Sequence, residues 1–313
     1  MIVTYGEALV DLIEQDDGTF AAILGGSVAN FTLAVARQGL PASYLNPLST
    51  DSFGQRFAYQ LGTAGVVLAS PVRSRLPTSL AIVTLDANKV PAYAFHRAEV
   101  ADRDITLEQA TANLPPAMTL FHTGGLALVP EDIDTTFALA TAAARAGALV
   151  SIDANLRPLA APDLARYAAG VRRALGVAHL VKVSEEDLLY LGFTDADPVD
   201  AARRLFDGTA AQLVALTLGE RGAVLLARQA TVALPVPAGV AVVDTVGAGD
   251  CFQAGLVASL GAAGTLPELD SPTLAHALRY ALATASINVM RKGCNPPTRL
   301  EVARFLADQG EPA

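Results

Sequence analysis

The residues with the most chemical content in this chain are Asp244-Thr245-Val246-Gly247-Ala248-Gly249-Asp250. Two glycines free the backbone to curl, and Ala248, Cys251, Phe252, Gly255 and Leu256 then recur on one face of a helix running on to Leu260. Such a turn into a helix N-terminus leaves the amides of Gly247, Ala248 and Gly249 as unpaired donors at the positive end of the helix dipole. They suit a phosphate or a developing phosphoryl anion. Asp250 would lie beside that hole. A carboxylate there repels a resting phosphate but serves a hydroxyl that must lose its proton to attack one, so Asp250 reads as a general base in phosphoryl transfer. Capping alone also favours an acid in a first helical turn, so the surrounding residues have to decide. The dinucleotide pattern is excluded because Phe252 holds the third glycine position, and the Walker pattern because no Gly-Lys-Ser/Thr follows.

The elements that must position this turn can be followed along the chain. Gly239 to Val243 reads as a strand feeding it. Ile2 to Tyr5 reads as a buried strand ending in Gly6-Glu7, after which Leu9, Val10 and Leu12 flank Asp11. Gly25-Gly26 precedes a helix from about Ser27 to Gln38 that carries Asn30 in its first turn. Carboxylates and amides satisfy paired hydroxyls, and glycine removes the Cβ that would block their approach. Ser43 to Ser49 reads as a second strand, followed by a helix capped by Asp51. Thr78 to Arg97 alternates on both sides of a turn at Asp86-Ala87-Asn88-Lys89, a hairpin with Tyr93, Phe95 and Arg97 on one face. From Thr119 strands and helices alternate regularly, which means a parallel sheet with helices on both faces and ligands at the C-terminal strand ends. The polar residues at those ends are Asp153, Asn155 and Arg157, then Lys182, Ser184 and Asp187, then Thr217, Gly219 and Gly222.

The Asp244 to Asp250 string, Gly6-Glu7-x-Leu9-x-Asp11 and Gly25-Gly26-x-x-x-Asn30 together resemble the motifs of the ribokinase-like (PfkB) sugar kinases, in that family's order. Asp153-x-Asn155-x-Arg157 resembles its fructokinase branch. The resemblance implies an α/β, ribokinase-like three-layer fold with a mostly parallel central sheet and a small inserted β-lid. One kinase domain would span 1–313, with the lid formed by about 12–24 and 78–103. The activity implied is transfer of the γ-phosphoryl group of ATP, with Mg2+, to a primary hydroxyl of a ketose, fructose foremost. Asp11, Gly25, Gly26, Asn30, Arg97, Asn155 and Asp250 would hold the sugar, and Arg157 would approach the phosphoryl group with the Gly247 to Gly249 amides. Lys182, Ser184, Thr217, Gly219, Gly222, Gly247, Gly249 and Asn288 would bind the nucleotide, Asn288 from a helix over Ala283 to Gly293 walling the adenine. Asp244 is the candidate ligand of a monovalent cation such as K+. Ser184-x-x-Asp187 departs from the family's frequent Asn-x-x-Glu, and His122-Thr123-Gly124-Gly125 reads as a strand-end turn with no chemical role. Rival expectations are a 2-keto-3-deoxygluconate kinase and a sugar-responsive binding protein, the latter opposed by the intact Asp250 and Gly247-x-Gly249.

Composition narrows the partners. With 313 residues, 52% of them hydrophobic, the chain can bury a large core, and a formal net charge of -9 disfavours nucleic acid and anionic membrane surfaces. A small sugar and ATP fit better. Cys251 and Cys294 are too few for a disulfide framework and read as reduced thiols. The absence of an apolar run of about 18 residues and of a signal peptide gives an expectation of a soluble, cytoplasmic protein. An exposed apolar face around Tyr93 and Phe95 would permit a homodimer through the lid.

Overall fold

The computed structural model describes residues 1–15, 17–85, 91–261 and 265–310. Its larger sheet contains β1 (Ile2–Tyr5), β4 (Ala42–Tyr44), β5 (Val67–Leu68), β8 (Leu120–Gly124), β9 (Leu149–Asp153), β10 (Leu180–Ser184), β11 (Leu213–Thr217), β12 (Ala223–Ala227) and β13 (Thr231–Leu234). They run in the order β13-β12-β11-β10-β9-β8-β1-β4-β5, parallel except where β12 and β13 pair antiparallel at one edge. The smaller sheet, β3-β2-β6-β7, is built from β2 (Leu9–Glu14), β3 (Phe20–Gly25), β6 (Ser79–Leu85) and β7 (Pro91–His96). It joins two antiparallel hairpins through a parallel β2–β6 pairing that sets Leu9 opposite Ser79. The expected turn at Asp86–Lys89 lies outside the described residues.

The helices are α1 (Ser27–Arg37), α2 (Ser52–Thr63), α3 (Leu107–Ala112), α4 (Ile133–Arg145), α5 (Leu164–Leu175), α6 (Glu185–Tyr190), α7 (Pro198–Arg203), α8 (Ala248–Leu260), α9 (Ser271–Val289) and α10 (Arg299–Asp308). Strand period sends alternate residues to opposite faces. Val150, Val181 and Val214 join one core with Leu139 of α4 and Tyr167 and Val171 of α5. Leu149, Leu180 and Leu213 join another with Phe31 of α1, Leu256 of α8 and Leu278 of α9. Helices therefore cover both faces, and the central strands read as continuous apolar runs because they are buried on both sides. Each such side chain is worth about 1.5–3 kcal/mol when fully buried.

Three local expectations are corrected. Gly239 to Val243 is not a strand: Val242 and Val243 are each 64% exposed, and among the described residues its end is tied down where the Val243 and Asp244 amides donate to Val289 O. Pro235 and Pro237 lack the amides that would extend the edge strand β13 in its direction. The second strand stops at Tyr44, before Asn46-Pro47, and Ser49 makes only an isolated bridge to Ser74. The helix expected over Ala283 to Gly293 is the last part of α9, which begins at Ser271, capped by Asp270, and ends at Val289.

Candidate active site

The small sheet faces the C-terminal ends of the central strands across a cavity of about 330 Å³. Leu9, Asp11, Ile13, Val83, Tyr93 and Phe95 line it from the small sheet, Asn155, Arg157 and Lys182 from the strand ends, and Thr245 to Asp250 from the turn before α8. Gly26 and Asn30 complete it from the start of α1. Ten residues expected at the site thus meet in one cleft: Asp11, Gly26, Asn30, Asn155, Arg157, Lys182, Gly247, Ala248, Gly249 and Asp250.

Asp250 is the third residue of α8 and is buried. Its Oδ2 accepts a 2.9 Å hydrogen bond from Asn30 Nδ2. Burial raises its pKa, opposed first by the Asn30 hydrogen bond and then by the charges of Lys182 and Arg157. The turn needs glycine at 247 on two counts: φ is 74°, and a Cβ would lie 2.5 Å from Cys294 Sγ. The anion hole is narrower than its sequence suggests. The Ala248 amide donates to Thr245 O at 3.2 Å, whereas Gly247 and Gly249 have no backbone acceptor among the described residues.

Asp11 faces the same cavity with its carboxyl pushed up to about 6 by burial, against the pull of the Arg157 charge. Gly25 does not line the cavity, and its part differs from the one expected: a Cβ there would fall 2.4 Å from Asp11 Oδ2, so its missing side chain makes room for the carboxylate. Arg157 is exposed, and among the described residues its guanidinium donates to the backbone oxygens of Asn155 (3.4 Å) and Leu156 (3.1 Å) and pairs with no carboxylate.

Several expected residues lie outside the cavity. Arg97 follows the last residue of β7, so the period-2 count that grouped it with Tyr93 and Phe95 fails there. Its guanidinium turns into a neighbouring polar cavity, donating to Asp102 and Leu126 O at 3.0 Å and lying 3.7 Å from Asp132. It is a buried strut between the base of the small sheet and α4, not a wall of this cleft. Asp102, whose other oxygen accepts from Ser79, is paired with Arg97 there and does not line the cleft. Asn288 is fully buried: its Nδ2 donates to Val246 O (2.8 Å) and its Oδ1 accepts from the Asn295 amide (2.9 Å), so it braces the Thr245 to Asp250 turn from inside the fold rather than lining the cleft. Asp244 braces the same turn, accepting from the amides of Val246 (3.0 Å) and Gly293 (2.8 Å). Ser184 and Thr217 are register partners at the ends of β10 and β11, followed by the loop in which Gly219 and Gly222 have φ of 59° and 97°. Asp187 forms a capping box with Ser184 and accepts from the Leu156 amide, so the Ser-x-x-Asp departure holds α6 and the 155–157 loop together.

Glu7, Ser27, Gly125 and Leu126 also line the cleft; Glu7 was read from sequence only as part of the Gly6 to Asp11 string, and the other three were given no role. Glu7 is pushed up to about 7 by burial; its Oε1 accepts from the Ser27 amide at 3.0 Å, and its Oε2 has no partner among the described residues. The strand-end Gly-Gly pair was the available signal for Gly125. His122 is fully buried, stacks on Phe31 with ring centroids 3.6 Å apart, and is kept neutral by a pKa lowered by burial to about 3.

A doubly covered parallel sheet, a second sheet closing over its carboxyl ends, and a buried acid at a glycine-turned helix start define a kinase of small hydroxylated substrates. The chain belongs to the pfkB family of carbohydrate kinases, whose family model matches residues 1–300. It is 32% identical to Fructokinase-1 of Zea mays, with 98% of this chain and 97% of that protein aligned. Among solved structures, fructokinase from Xylella fastidiosa with bound ATP superposes with a TM-score of 0.85 at 28% identity, covering 99% of both chains. A double mutant of fructokinase from Vibrio cholerae in a form with fructose, ADP and potassium bound gives a TM-score of 0.82 at 25% identity, covering 97% and 98%.

Proposed function

We propose that this cleft transfers the γ-phosphoryl group of ATP to a primary hydroxyl of fructose. The observation that carries it is the single cavity in which the buried, Asn30-bonded Asp250 faces both the Gly247–Gly249 turn and the Asp11 carboxylate. Asp250 accepts the hydroxyl proton as the oxygen attacks phosphorus. The free amides of Gly247 and Gly249 and the exposed Arg157 guanidinium neutralise charge on the phosphoryl oxygens. Asp11, Asn30 and Asn155 orient the sugar hydroxyls, while Ser184, Thr217 and the Gly219–Gly222 loop border the nucleotide.

Mg2+ belongs to this scheme as the partner of the ATP phosphates. Asp244 suits a monovalent cation: each carboxylate oxygen accepts one backbone amide and keeps a further lone pair. A cation there would stiffen the turn that carries the anion hole. The small sheet acts as a lid, and Phe20, 47% exposed on the face turned away from the cleft, offers an apolar contact for a second copy. A cytoplasmic location fits an enzyme that draws on ATP.

The test is ADP release with fructose, other hexoses and 2-keto-3-deoxygluconate in parallel. Fructose should give the highest kcat/KM, and Asp250→Asn should lower kcat by about 10²- to 10⁴-fold with ATP affinity nearly unchanged. A higher kcat/KM for the sugar acid, or retention of more than about a tenth of kcat in Asp250→Asn, would overturn the assignment.

A further inference from the structure

Position 249 poses a question that backbone conformation does not answer. Gly249 is helical, with no positive φ, so alanine would be tolerated there on conformational grounds. What excludes a side chain is Lys182, whose Nζ lies 2.9 Å from where a Cβ on Gly249 would stand. Lys182 is buried in the middle of the sheet, register partner of Asp153 on β9, and its ammonium donates to both Asp153 oxygens at 3.0 and 2.9 Å. An ammonium has three donors, and two are spent on Asp153. The head group packs against the first turn of α8, one residue before Asp250, and lines the cavity.

A buried ion pair is weak evidence of stability, because apolar residues of similar volume commonly do as well or better. Here the pair sits beside the reacting groups instead. We infer that Lys182, locked by Asp153, is a positioning residue that sets a fixed positive charge behind the Gly247–Gly249 turn and beside the base. It rests on the reading of Asp250 as that base. The groups facing Asp250 are Ser27 and Asn30 from α1, Asp153 from β9, Arg157 from the following loop, Lys182 from β10, and the thiols of Cys251 and Cys294. Burial favours the protonated acid, and Lys182 is the buried cation among these groups that opposes it. Asp153 acts with the opposite sign, since its own charge disfavours a second carboxylate nearby.

Those opposite signs provide the test. The acid limb of kcat, at saturating fructose and ATP so that the Asp11 dependence of KM drops out, is measured for wild type, Lys182→Met, Asp153→Asn, Gly249→Ala and Asp250→Asn, each checked by thermal unfolding. Lys182→Met should move the limb to higher pH by about half a unit or more and cut kcat by about tenfold or more. Gly249→Ala, which forces the ammonium aside, should move it the same way. Asp153→Asn, which leaves the cation and removes its partner, should move it to lower pH. A purely structural pair would move the limb in neither direction, and limbs that stay put or all shift together overturn the proposal. If Lys182→Met fails to fold, the opposed shifts of Gly249→Ala and Asp153→Asn decide, and if Asp153→Asn fails, the upward shifts decide. Activity persisting in Asp250→Asn would instead overturn the base assignment, whatever the other limbs do.

Discussion

Gly25→Ala is the sharpest perturbation of sugar binding that the structure offers, because it adds one methyl group and touches one functional atom. The new Cβ would stand 2.4 Å from Asp11 Oδ2, whereas ordinary contacts begin near 3.4 Å, so the carboxylate has to retreat by about 1 Å. Gly25 ends strand β3 with no left-handed φ, so its backbone accepts alanine and the fold should survive. Losing a hydrogen bond to a charged group costs about 1.5–3 kcal/mol. At 1.36 kcal/mol per decade, the KM for fructose should rise about 10- to 150-fold while that for ATP stays within about twofold. Steady-state kinetics on the Asp11→Ala background closes the cycle: with the carboxylate already gone, Gly25→Ala should cost no more than about 0.5 kcal/mol further. Full additivity would refute the reasoning, since it would mean that Gly25 meets the sugar itself, as its sequence first suggests, rather than clearing space for Asp11.

Other outcomes follow from the same geometry. With the Asp11 carboxyl at about 6, the ionised acceptor is present above that pH and lost below it, so the KM for fructose should climb as pH drops from 7 to 5. A flat profile in wild type, or an unchanged slope in Asp11→Asn, would contradict this. Arg97→Ala leaves Asp102 buried without its cation and should cost about 3–5 kcal/mol of stability, partly restored by adding Asp102→Asn. Calorimetry showing no recovery in the double variant would remove the strut role. Hydrogen exchange in Ser79–Leu85 and Pro91–His96 should slow when fructose binds, because closure of the small sheet excludes water. Equal protection with and without sugar would make that sheet a static wall.

How legible the protein was from its sequence depended on whether the signal was local. The parallel sheet was readable because each central strand is a short apolar run between helical repeats, and the Asp244 to Asp250 turn because glycines at fixed spacing leave few alternatives. Asp11, Asn30 and Arg157 were found through motif position, and the cleft does gather them. Arg97 misled because strand period was extended one residue beyond the strand, past which a side chain's direction depends on what it can pair with, here Asp102 and Asp132. Asn288 misled for a related reason: a helix can border a site while its polar residue turns inward to satisfy backbone groups. Glu7 was read only as part of its string, because nothing in its neighbourhood tells whether a carboxylate after a buried strand faces water or, as here, the start of α1. The strand expected at Gly239 to Val243 had the right composition, but Pro235 and Pro237 end the edge strand β13 before it.

The Asn30–Asp250 hydrogen bond also bears on how the enzyme comes into being. It closes a loop of 220 residues, and β1 cannot complete its pairing until β8, with Ile2 opposite Leu120, has formed. Contacts of such sequence separation assemble late and slowly. A refolding chain should therefore regain helical signal well before it regains turnover. During synthesis, the half of the site carried by α1 has to wait, solvent-exposed and without its partner, until the segment bearing Asp250 has emerged.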